Sequence, residues 1–322
     1  MTRDLVVLPP REPLTDTWAL AVAEAEPSLQ VLVASDRKQA LAMLPTAEAA
    51  YGTLNAELLA SAPGLRWLQA PMAAPPAGYF FPELVAHPVE VTNFRGVYND
   101  HVAIHAVALL LALARGLPRY VRQQQHAEWA RHLADEDVLH LPESTVVVIG
   151  VGGIGAEIGR MLRAIGSRVV GVDPRRSDVP DGFESMHQPE DLDDLLGTAD
   201  AVVLTLPHTP ESEGMFGAER LALLPAHCCL VNVGRGATVV LDAVAEALQN
   251  RTLSGVALDV FEEEPLPADH PLWRQDGALL TPHVAVVGPH VDDRRLGVFR
   301  DNARRFAAGK PLLNVVDKAL WY

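Results

Sequence analysis

The stretch VVVIGVGGIGAEIGRML, residues 146–162, constrains the fold more than any other part of this 322-residue chain. An apolar run leads into glycines at Gly150, Gly152 and Gly155, and a helical pattern follows. In such a strand–turn–helix unit the first glycine allows the tight turn, the second lets the backbone approach a pyrophosphate, and the third lets helix and strand pack closely. The helix N-terminus offers free N–H groups to phosphates. The motif alone leaves a ligand-free glycine-rich turn open as the alternative.

A carboxylate in the right place strengthens this interpretation. A second apolar run ends in Asp173, 18 residues after Gly155, where an acidic side chain accepts hydrogen bonds from the adenosine ribose. We therefore predict NAD as the cofactor, because the charge of Asp173 would repel the 2′-phosphate of NADP. Arg175 and Arg176 follow closely and keep NADP open. The predicted cofactor contacts in the turn are Gly150, Gly152, Gly153, Ile154 and Gly155.

Apolar runs alternate with helical patterns on both sides of the turn. Ahead of it we predict strands at 4–9, 31–35, 51–54, 65–70 and 89–93, and a helix at 15–26. Behind it we predict strands at 167–174, 200–207, 227–234, 253–260 and 277–283, and helices at 242–250 and 289–308. Continuous apolar strands separated by helices indicate parallel sheets that are covered on both faces. The predicted fold class is therefore α/β, with doubly wound parallel sheets.

Two helices are predicted directly ahead of the glycine turn. The segment 99–115 is apolar nearly all round, which is typical of a buried helix. The polar segment PRYVRQQQHAEWARHL, 118–133, predicts a second helix. The longest apolar run, 107–114, is too short to span a bilayer, so no membrane partner is expected.

Charge and cysteine usage exclude several classes of function. The formal net charge is -15, which argues against non-specific binding of nucleic acid, since such binding needs clustered Lys and Arg. The adjacent Cys228 and Cys229 form neither a disulfide framework nor a metal-binding spacing. We predict that they are small buried residues of a strand, and we predict no metal site. With no secretion signal at the start, a cytoplasmic location is expected.

Polar residues follow several of the later strands. Arg235 lies in NVGRG, Asp259 and Glu264 lie in ALDVFEEEP, and His283 lies in TPHVA. Because ligands collect at the carboxyl ends of strands in an open α/β sheet, we expect these residues at the same edge as the glycine turn. Each residue taken singly is more often a solvated charge or a structural side chain. The ordered set behind a dinucleotide turn favours a catalytic site.

The chemistry of this set suits the reduction of a 2-keto acid. The planar fork of Arg235 can hold a carboxylate and polarise the adjacent carbonyl. His283 can exchange a proton with the developing alkoxide, and Glu264 beside it would orient the imidazole and favour its charged form. Asp259 can accept a hydrogen bond from the nicotinamide carboxamide.

These motifs resemble those of the D-isomer-specific 2-hydroxyacid dehydrogenases. The matching stretches are GVGGIG (150–155), TLPHTPES (205–212), NVGRG (232–236), ALDVFEEEPLP (257–267) and TPHVA (281–285). The segment VTNFRGVY with the following HAVALLLALARGLP is also similar to the family's region ahead of its cofactor domain. The order Arg, Glu, His at spacings of 29 and 19 residues is more specific than the glycine motif alone.

The resemblance implies a role for each matching residue. Arg235 matches the substrate-orienting arginine, Glu264 the catalytic glutamate, and His283 the acid/base histidine. The cofactor contacts that it implies outside the glycine turn are Pro207, Thr209, Val233 and Asp259. It also implies a Rossmann NAD-binding domain, 99–287, inserted in a flavodoxin-like substrate domain formed by 1–98 and 288–322. A homodimer that pairs through helix 99–115 and its neighbour is the implied assembly.

The chain departs from the family in its substrate loop. That loop usually reads Ser-Ala-Gly-x-Asp, whereas this chain has Met72-Ala73-Ala74-Pro75-Pro76. Ala73 and Ala74 still supply N–H groups for a substrate carboxylate, and the prolines supply none. Ile104 stands where the family often has Glu. His101, at a helix start, is either a surface residue or a substrate contact.

Two other functions remain open from the residues. One is an NAD-sensing, non-enzymatic binding protein of the corepressor type, because a fold does not determine function. The other is an enzyme of the formate or phosphite dehydrogenase type, with the same cofactor and another hydride donor. The Arg–Glu–His set favours an NAD(P)-dependent dehydrogenase for a 2-keto or 2-hydroxy acid. The sequence leaves the identity of that acid open.

Overall fold

The computed structural model describes residues 3–11, 13–73, 78–131, 134 and 138–320. The chain divides into two compact units. The first unit comprises Met1–Val97 and Pro289–Tyr322, and the second comprises Tyr98–Gly288. Each unit has one parallel sheet with helices, which confirms the predicted α/β class.

The first unit is built on a five-stranded sheet. Its strands are β1 (Arg3–Val7), β2 (Leu29–Val33), β3 (Ala47–Tyr51), β4 (Trp67–Gln69) and β5 (Glu90–Thr92). Its helices are α1 (Thr15–Ala25), α2 (Arg37–Met43), α3 (Ala56–Ala60), α4 (Pro82–Ala86) and α11 (Val291–Ala307), numbered with the second unit in chain order. All pairings are parallel in the order β2-β1-β3-β4-β5, the flavodoxin-like order.

An aromatic cluster fills one side of this sheet. Phe299 of α11 packs against Tyr51 and Trp67, with ring centroids 4.9 Å and 5.9 Å apart. Phe306, further along α11, packs against Trp67 with the ring centroids 5.5 Å apart. Because aromatic side chains bury large apolar areas, these contacts anchor α11 to the sheet of the first unit.

The second unit is built on a seven-stranded sheet. Its strands are β6 (Thr145–Ile149), β7 (Arg168–Val172), β8 (Ser185–His187), β9 (Ala201–Leu204), β10 (Cys229–Asn232), β11 (Gly255–Leu258) and β12 (Ala278–Leu280). Its helices are α5 (Asn99–Ala114), α6 (Leu117–Gln125), α7 (Gly153–Ile165), α8 (Leu192–Leu196), α9 (Ala218–Leu221) and α10 (Leu241–Gln249). The parallel order β12-β11-β10-β9-β6-β7-β8 contains the Rossmann order and reverses between β6 and β9.

The helix α5 lies in the core of the second unit. It packs against α7 and against β10 and β11, and most of its apolar side chains are buried. Within the described residues, no single helix has the length and hydrophobicity needed to cross a membrane. The pair α5 and α6 meets that criterion when taken together, but it is bent by 74°.

The adjacent cysteines lie at the start of an interior strand of the second sheet. Cys229 opens β10 and Cys228 directly precedes it, and both thiols are free and buried. Burial raises the pKa of the Cys229 thiol to about 12, and burial also raises the pKa of Cys228. The prediction of two small buried residues at a strand is confirmed, because these thiols fill space and stay protonated.

One strand prediction was wrong, and one strand was not predicted. The third strand of the first unit is Ala47–Tyr51 rather than 51–54, because its alanine-rich sequence carries little of the β-branched signal by which strands are recognised. The strand Ser185–His187 was missed. It is a three-residue edge strand with half-exposed side chains, and so lacks the apolar run of a buried strand.

The polar helix ahead of the glycine turn is shorter than predicted. It ends at Gln125, and the N–H of His126 bonds to the carbonyls of Gln123 and Gln124. Ala127 then has a φ of 52°, a left-handed conformation that stops the helix. The prediction for 132 and 133 lies outside the described residues.

Candidate active site

The glycine turn lies at the switch point of the second sheet, between the ends of β6 and β9. Gly150 has a φ of 90°, which favours glycine. A Cβ on Gly155 would lie 2.1 Å from the Gly150 carbonyl oxygen, so only glycine lets α7 start this close to the turn. Among the described residues, a Cβ on Gly152 would meet no atom within 4 Å. There is therefore open space beside Gly152, directly ahead of α7.

Asp173 directly follows β7, and its side chain links the end of that strand to the glycine turn. One carboxylate oxygen accepts from the Val151 N–H at 2.8 Å, and the other accepts from the Arg175 N–H at 2.9 Å. The residue is only 5% exposed. Arg176 bonds through its backbone to the Asp173 carbonyl and lies with its Nε 3.4 Å from Asp178. The two predicted cofactor-selecting features, the carboxylate and the arginines, are thus on one loop.

The loop behind β9 is ordered by its own side chains. The Thr205 hydroxyl donates to the Gly150 carbonyl and joins this loop to the glycine turn. The buried Ser212 hydroxyl donates to the Pro207 carbonyl at 2.8 Å and accepts from the Thr209 N–H at 2.9 Å. Pro207 and Thr209, both predicted cofactor contacts, therefore lie in a fixed loop next to the turn.

The NVGRG segment holds Arg235 in a tight bend after β10. The side chain of Asn232 accepts from the Gly234 N–H at 3.0 Å and donates to the Arg235 carbonyl at 2.9 Å. A Cβ on Gly236 would lie 1.8 Å from the Phe261 carbonyl oxygen, and one on Gly234 would lie 2.7 Å from the Leu206 carbonyl oxygen. Both glycines are required by close packing against neighbouring loops, and the Arg235 Nη1 donates to the Gly234 carbonyl at 2.6 Å. Val233, a predicted cofactor contact, is buried beside the bend.

Glu264 and His283 form a hydrogen-bonded pair. The Glu264 Oε2 lies 2.8 Å from the His283 Nδ1, while Oε1 accepts from the Phe261 N–H at 3.0 Å. The histidine side chain is 47% exposed. A carboxylate on Nδ1 favours the tautomer and orientation in which Nε2 exchanges protons with a ligand. The pair therefore has the geometry of an oriented acid/base histidine.

Arg235 belongs to the same electrostatic group. Burial lowers the pKa of the Arg235 guanidinium, and the negative charge of Glu264 opposes that shift. A guanidinium stays charged in proteins, so a half-buried cation stands next to the acid/base pair. The structure brings together the three residues predicted to do chemistry, within one unit.

Asp259 is almost completely buried. It is 1% exposed, and its carboxylate accepts from the N–H groups of Val284 and Ala285. Thr281 donates to it as well. The predicted bond from Asp259 to a nicotinamide carboxamide stays a prediction. Its hydrogen-bond partners named above all belong to the segment that carries His283, and the His105 Nε2 lies 3.4 Å from its Oδ1.

The predicted substrate loop lies in the first unit. The Ala73 carbonyl accepts from the Asn93 Nδ2 at 2.7 Å, which fixes the start of the loop. Ala74 lies outside the described residues, so the prediction that both amides hold a substrate carboxylate stays a prediction. His101 lies in the second unit, half-buried against Gly288, and its Nε2 is enclosed without a hydrogen-bond partner among the described residues.

Sequence patterns missed the residues that hold this site in place. Asn232 is the first residue of the matched NVGRG stretch and was given no role, although an Asn at a strand end is typical of a side chain that bonds to the following turn. Thr281 is part of the matched TPHVA stretch and was given no role. His105 bonds to Thr281 across 176 positions of sequence, and no local pattern predicts that contact.

Known proteins are similar to this chain in sequence. The NAD-binding-domain model of the D-isomer specific 2-hydroxyacid dehydrogenases matches residues 107–285. The glyoxylate reductase of Korarchaeum cryptofilum is 31% identical over 299 residues, which is 92% of this chain and 88% of that protein.

Solved structures match over the whole chain as well. A D-isomer specific 2-hydroxyacid dehydrogenase from Xanthobacter autotrophicus Py2, in complex with NADPH and MES, is 29% identical with a TM-score of 0.83 and 100% of each chain covered. An NADPH-dependent glyoxylate/hydroxypyruvate reductase from Sinorhizobium meliloti, in complex with NADP and sulfate, is 27% identical with a TM-score of 0.83, again over 100% of each chain.

Proposed function

The chain belongs to the D-isomer specific 2-hydroxyacid dehydrogenase family, and we propose that it reduces a small 2-keto acid to the D-2-hydroxy acid with NAD(P)H, reversibly. The observation that carries this proposal is the Glu264–His283 pair at 2.8 Å, electrostatically coupled to Arg235. A binding protein needs no such oriented acid/base histidine. The intact pair therefore favours an enzyme over a cofactor-sensing protein.

The glycine turn fits the dinucleotide that this reaction needs. No described residue has an atom within 4 Å of the position that a Gly152 Cβ would take, so a pyrophosphate has room to approach the backbone there. The free amides at the N-terminus of a helix such as α7 attract negative charge. A bound nicotinamide supplies the hydride that is added to the keto carbon.

Side chains of the protein bind the substrate and transfer the proton. Arg235 pairs with the substrate carboxylate and withdraws charge from the keto oxygen, which makes the neighbouring carbon a better hydride acceptor. As negative charge develops on that oxygen, His283 donates its Nε2 proton. Glu264 stabilises the charged imidazole before transfer and holds its orientation after it. In the oxidation direction the same atoms act in reverse.

A substrate panel tests the proposal. We expect oxidation of NADH or NADPH, followed by absorbance, with glyoxylate, hydroxypyruvate or a bulkier 2-keto acid, since reductases of the first two are among the relatives. In the reverse direction the D-isomer of a chiral 2-hydroxy acid should react and the L-isomer should not. If no keto acid is turned over with either cofactor, the protein is not the proposed enzyme. Turnover of formate or phosphite alone would assign the other hydride donor.

The choice between NADH and NADPH depends on Asp173. We expect a higher kcat/KM with NADH, because the carboxylate repels a 2′-phosphate. The variant Asp173→Asn keeps an acceptor for the Val151 N–H and removes the charge. It should shift the NADPH-to-NADH ratio of kcat/KM upward by about tenfold, which corresponds to roughly 1.4 kcal/mol.

A second variant separates the arginines from the carboxylate. The double substitution Arg175→Ala and Arg176→Ala should lower activity with NADPH and leave that with NADH nearly unchanged. A wild-type enzyme that prefers NADPH, and loses that preference in the double variant, would reverse the assignment to Asp173. Two similar proteins have been solved with NADPH or NADP bound, so both cofactors have to be tested with this chain.

We propose that the chain forms a homodimer through one face of α5 and the segment after it. The supporting observation is a set of exposed apolar side chains, namely Ile104, Leu111, Val121 and Trp129. Ile104 and Leu111 are seven positions apart and share a helix face. Light scattering should give twice the chain mass of 34.8 kDa, and Ile104→Glu with Leu111→Glu should give monomers. A wild-type monomer would contradict the assembly.

A further inference from the structure

The backbone of His283 is held in an unfavourable conformation. Its φ of 53° lies in the left-handed region, which residues with a Cβ seldom adopt. Such conformations persist only where the surrounding structure determines them, and they cluster at functional sites. The segment around His283 must therefore be fixed by contacts that favour this conformation over relaxed ones.

Asp259 provides those contacts. Its backbone carbonyl accepts from the His283 N–H at 2.8 Å. Its Oδ1 accepts from the Val284 N–H at 2.9 Å and its Oδ2 from the Ala285 N–H at 3.0 Å. Three successive amides thus bond to one residue. The two bonds to the buried carboxylate are charge-assisted, and such hydrogen bonds are stronger than those between neutral groups.

A second layer holds the carboxylate itself. The Thr281 hydroxyl donates to the Asp259 Oδ1 at 2.7 Å. The Nε2 of His105 lies 3.1 Å from the Thr281 Oγ1 and 3.4 Å from the Asp259 Oδ1. Since the single hydroxyl proton of Thr281 goes to Asp259, we assign the proton of this contact to His105 Nε2. His105 lies on α5, so the chain of contacts starts on a helix far from His283 in sequence.

We propose that His105 and Thr281 are positioning residues that act through Asp259 to keep His283 facing Glu264. The proposal rests on the proposed function, because it assigns to them the placement of its acid/base histidine. His105 orients the Thr281 hydroxyl, the hydroxyl fixes one carboxylate oxygen, and the carboxylate fixes the amides on the C-terminal side of His283. Loss of either side chain lets the segment relax, and the imidazole then leaves its position against Glu264.

Matched variants test the two residues by kinetics. Thr281→Val keeps the shape and removes the hydroxyl, while Thr281→Ser keeps the hydroxyl. His105→Leu removes the donor, while His105→Gln offers an amide N–H in a similar place. We expect Thr281→Val and His105→Leu to lower kcat by about 10- to 100-fold, as small misplacements of catalytic groups do, with KM for the keto acid little changed. Thr281→Ser and His105→Gln should retain most of the wild-type kcat.

Two further readouts separate positioning from a general loss of stability. The solvent deuterium isotope effect on kcat should rise in Thr281→Val and His105→Leu, because proton transfer becomes slower relative to other steps. Combined with His283→Ala, neither substitution should lower kcat further, since residues that act as one unit are non-additive. Additive losses in the His283→Ala background, or rescue variants as slow as Thr281→Val and His105→Leu, would overturn the proposal. Thermal melting of each variant confirms that it is folded.

A spectroscopic measurement keeps the proposal testable if the proposed function fails. In wild-type protein the Nδ1 proton of His283 bonds to Glu264 and should give a downfield proton NMR signal, identified by its absence in His283→Ala. The signal should broaden or disappear in Thr281→Val and His105→Leu and remain in Thr281→Ser. An unchanged signal in both would refute positioning, whatever the substrate. Failure of the proposed function is seen separately, as wild-type protein that turns over no 2-keto acid.

Discussion

The substitution His283→Ala is expected to lower kcat for 2-keto acid reduction by about 10²–10⁴-fold, the usual loss when a general acid is removed. The proton for the developing alkoxide then has to come from water, which the protein does not orient. Binding of NADH, followed by its fluorescence, should be little changed, because the glycine turn and Asp173 are untouched. Steady-state rates at saturating cofactor measure the effect.

A second histidine–carboxylate pair offers a matched control. His227 lies with its Nε2 2.8 Å from Asp200, just ahead of β10 and away from the strand ends that carry the site. His227→Ala removes a pair of the same kind at the same distance, and its kcat should stay near the wild-type value. A near-wild-type rate for His283→Ala, or an equal loss in both variants, would remove the assigned role of His283.

The second large effect is expected for Arg235→Ala. Removal of the cation should lower kcat/KM on 2-keto acids by about 10²–10³-fold, comparable with the loss of one donor that stabilises a developing oxyanion. Arg235→Lys should recover little of this loss, since an ammonium cannot reproduce the two parallel hydrogen bonds of a guanidinium. The affinity for NADH should remain near wild type in both variants.

Chemical rescue sharpens the test of Arg235. Guanidinium ion added to Arg235→Ala should restore part of the rate, in a saturable manner, because it can occupy the space that the side chain leaves. The exposed Arg274, replaced by Ala, serves as the control and should have wild-type kinetics. Unchanged turnover in Arg235→Ala would show that another group binds the carboxylate.

The sequence predicted those parts of the site that a local pattern of residues indicates. The turn at Gly150 and the strand directly ahead of Asp173 follow from apolar runs and glycine spacing, and the structure has both. The pairing of Glu264 with His283 follows from the places of both residues behind adjacent strands. The first two features depend on neighbours along the chain, so local patterns predict them.

Features that depend on tertiary packing were not predictable in this way. The strand Ala47–Tyr51 is composed largely of alanines, and only its place between two other strands makes it a strand. The burial of Asp259 could not be predicted from the sequence around it, since a charged residue after a strand is usually solvated. The left-handed φ of His283 has no glycine to signal it, because the hydrogen bonds that impose it come from elsewhere.

The discontinuous first unit has a consequence for synthesis on the ribosome. Domains generally fold in the order in which they emerge, the N-terminal one first. Here the first sheet emerges early, but Phe299 and Phe306, which cover Tyr51 and Trp67, are translated after the whole second unit. The unit that is begun first is thus completed last. Until α11 arrives, the nascent chain exposes an aromatic surface that a chaperone can bind.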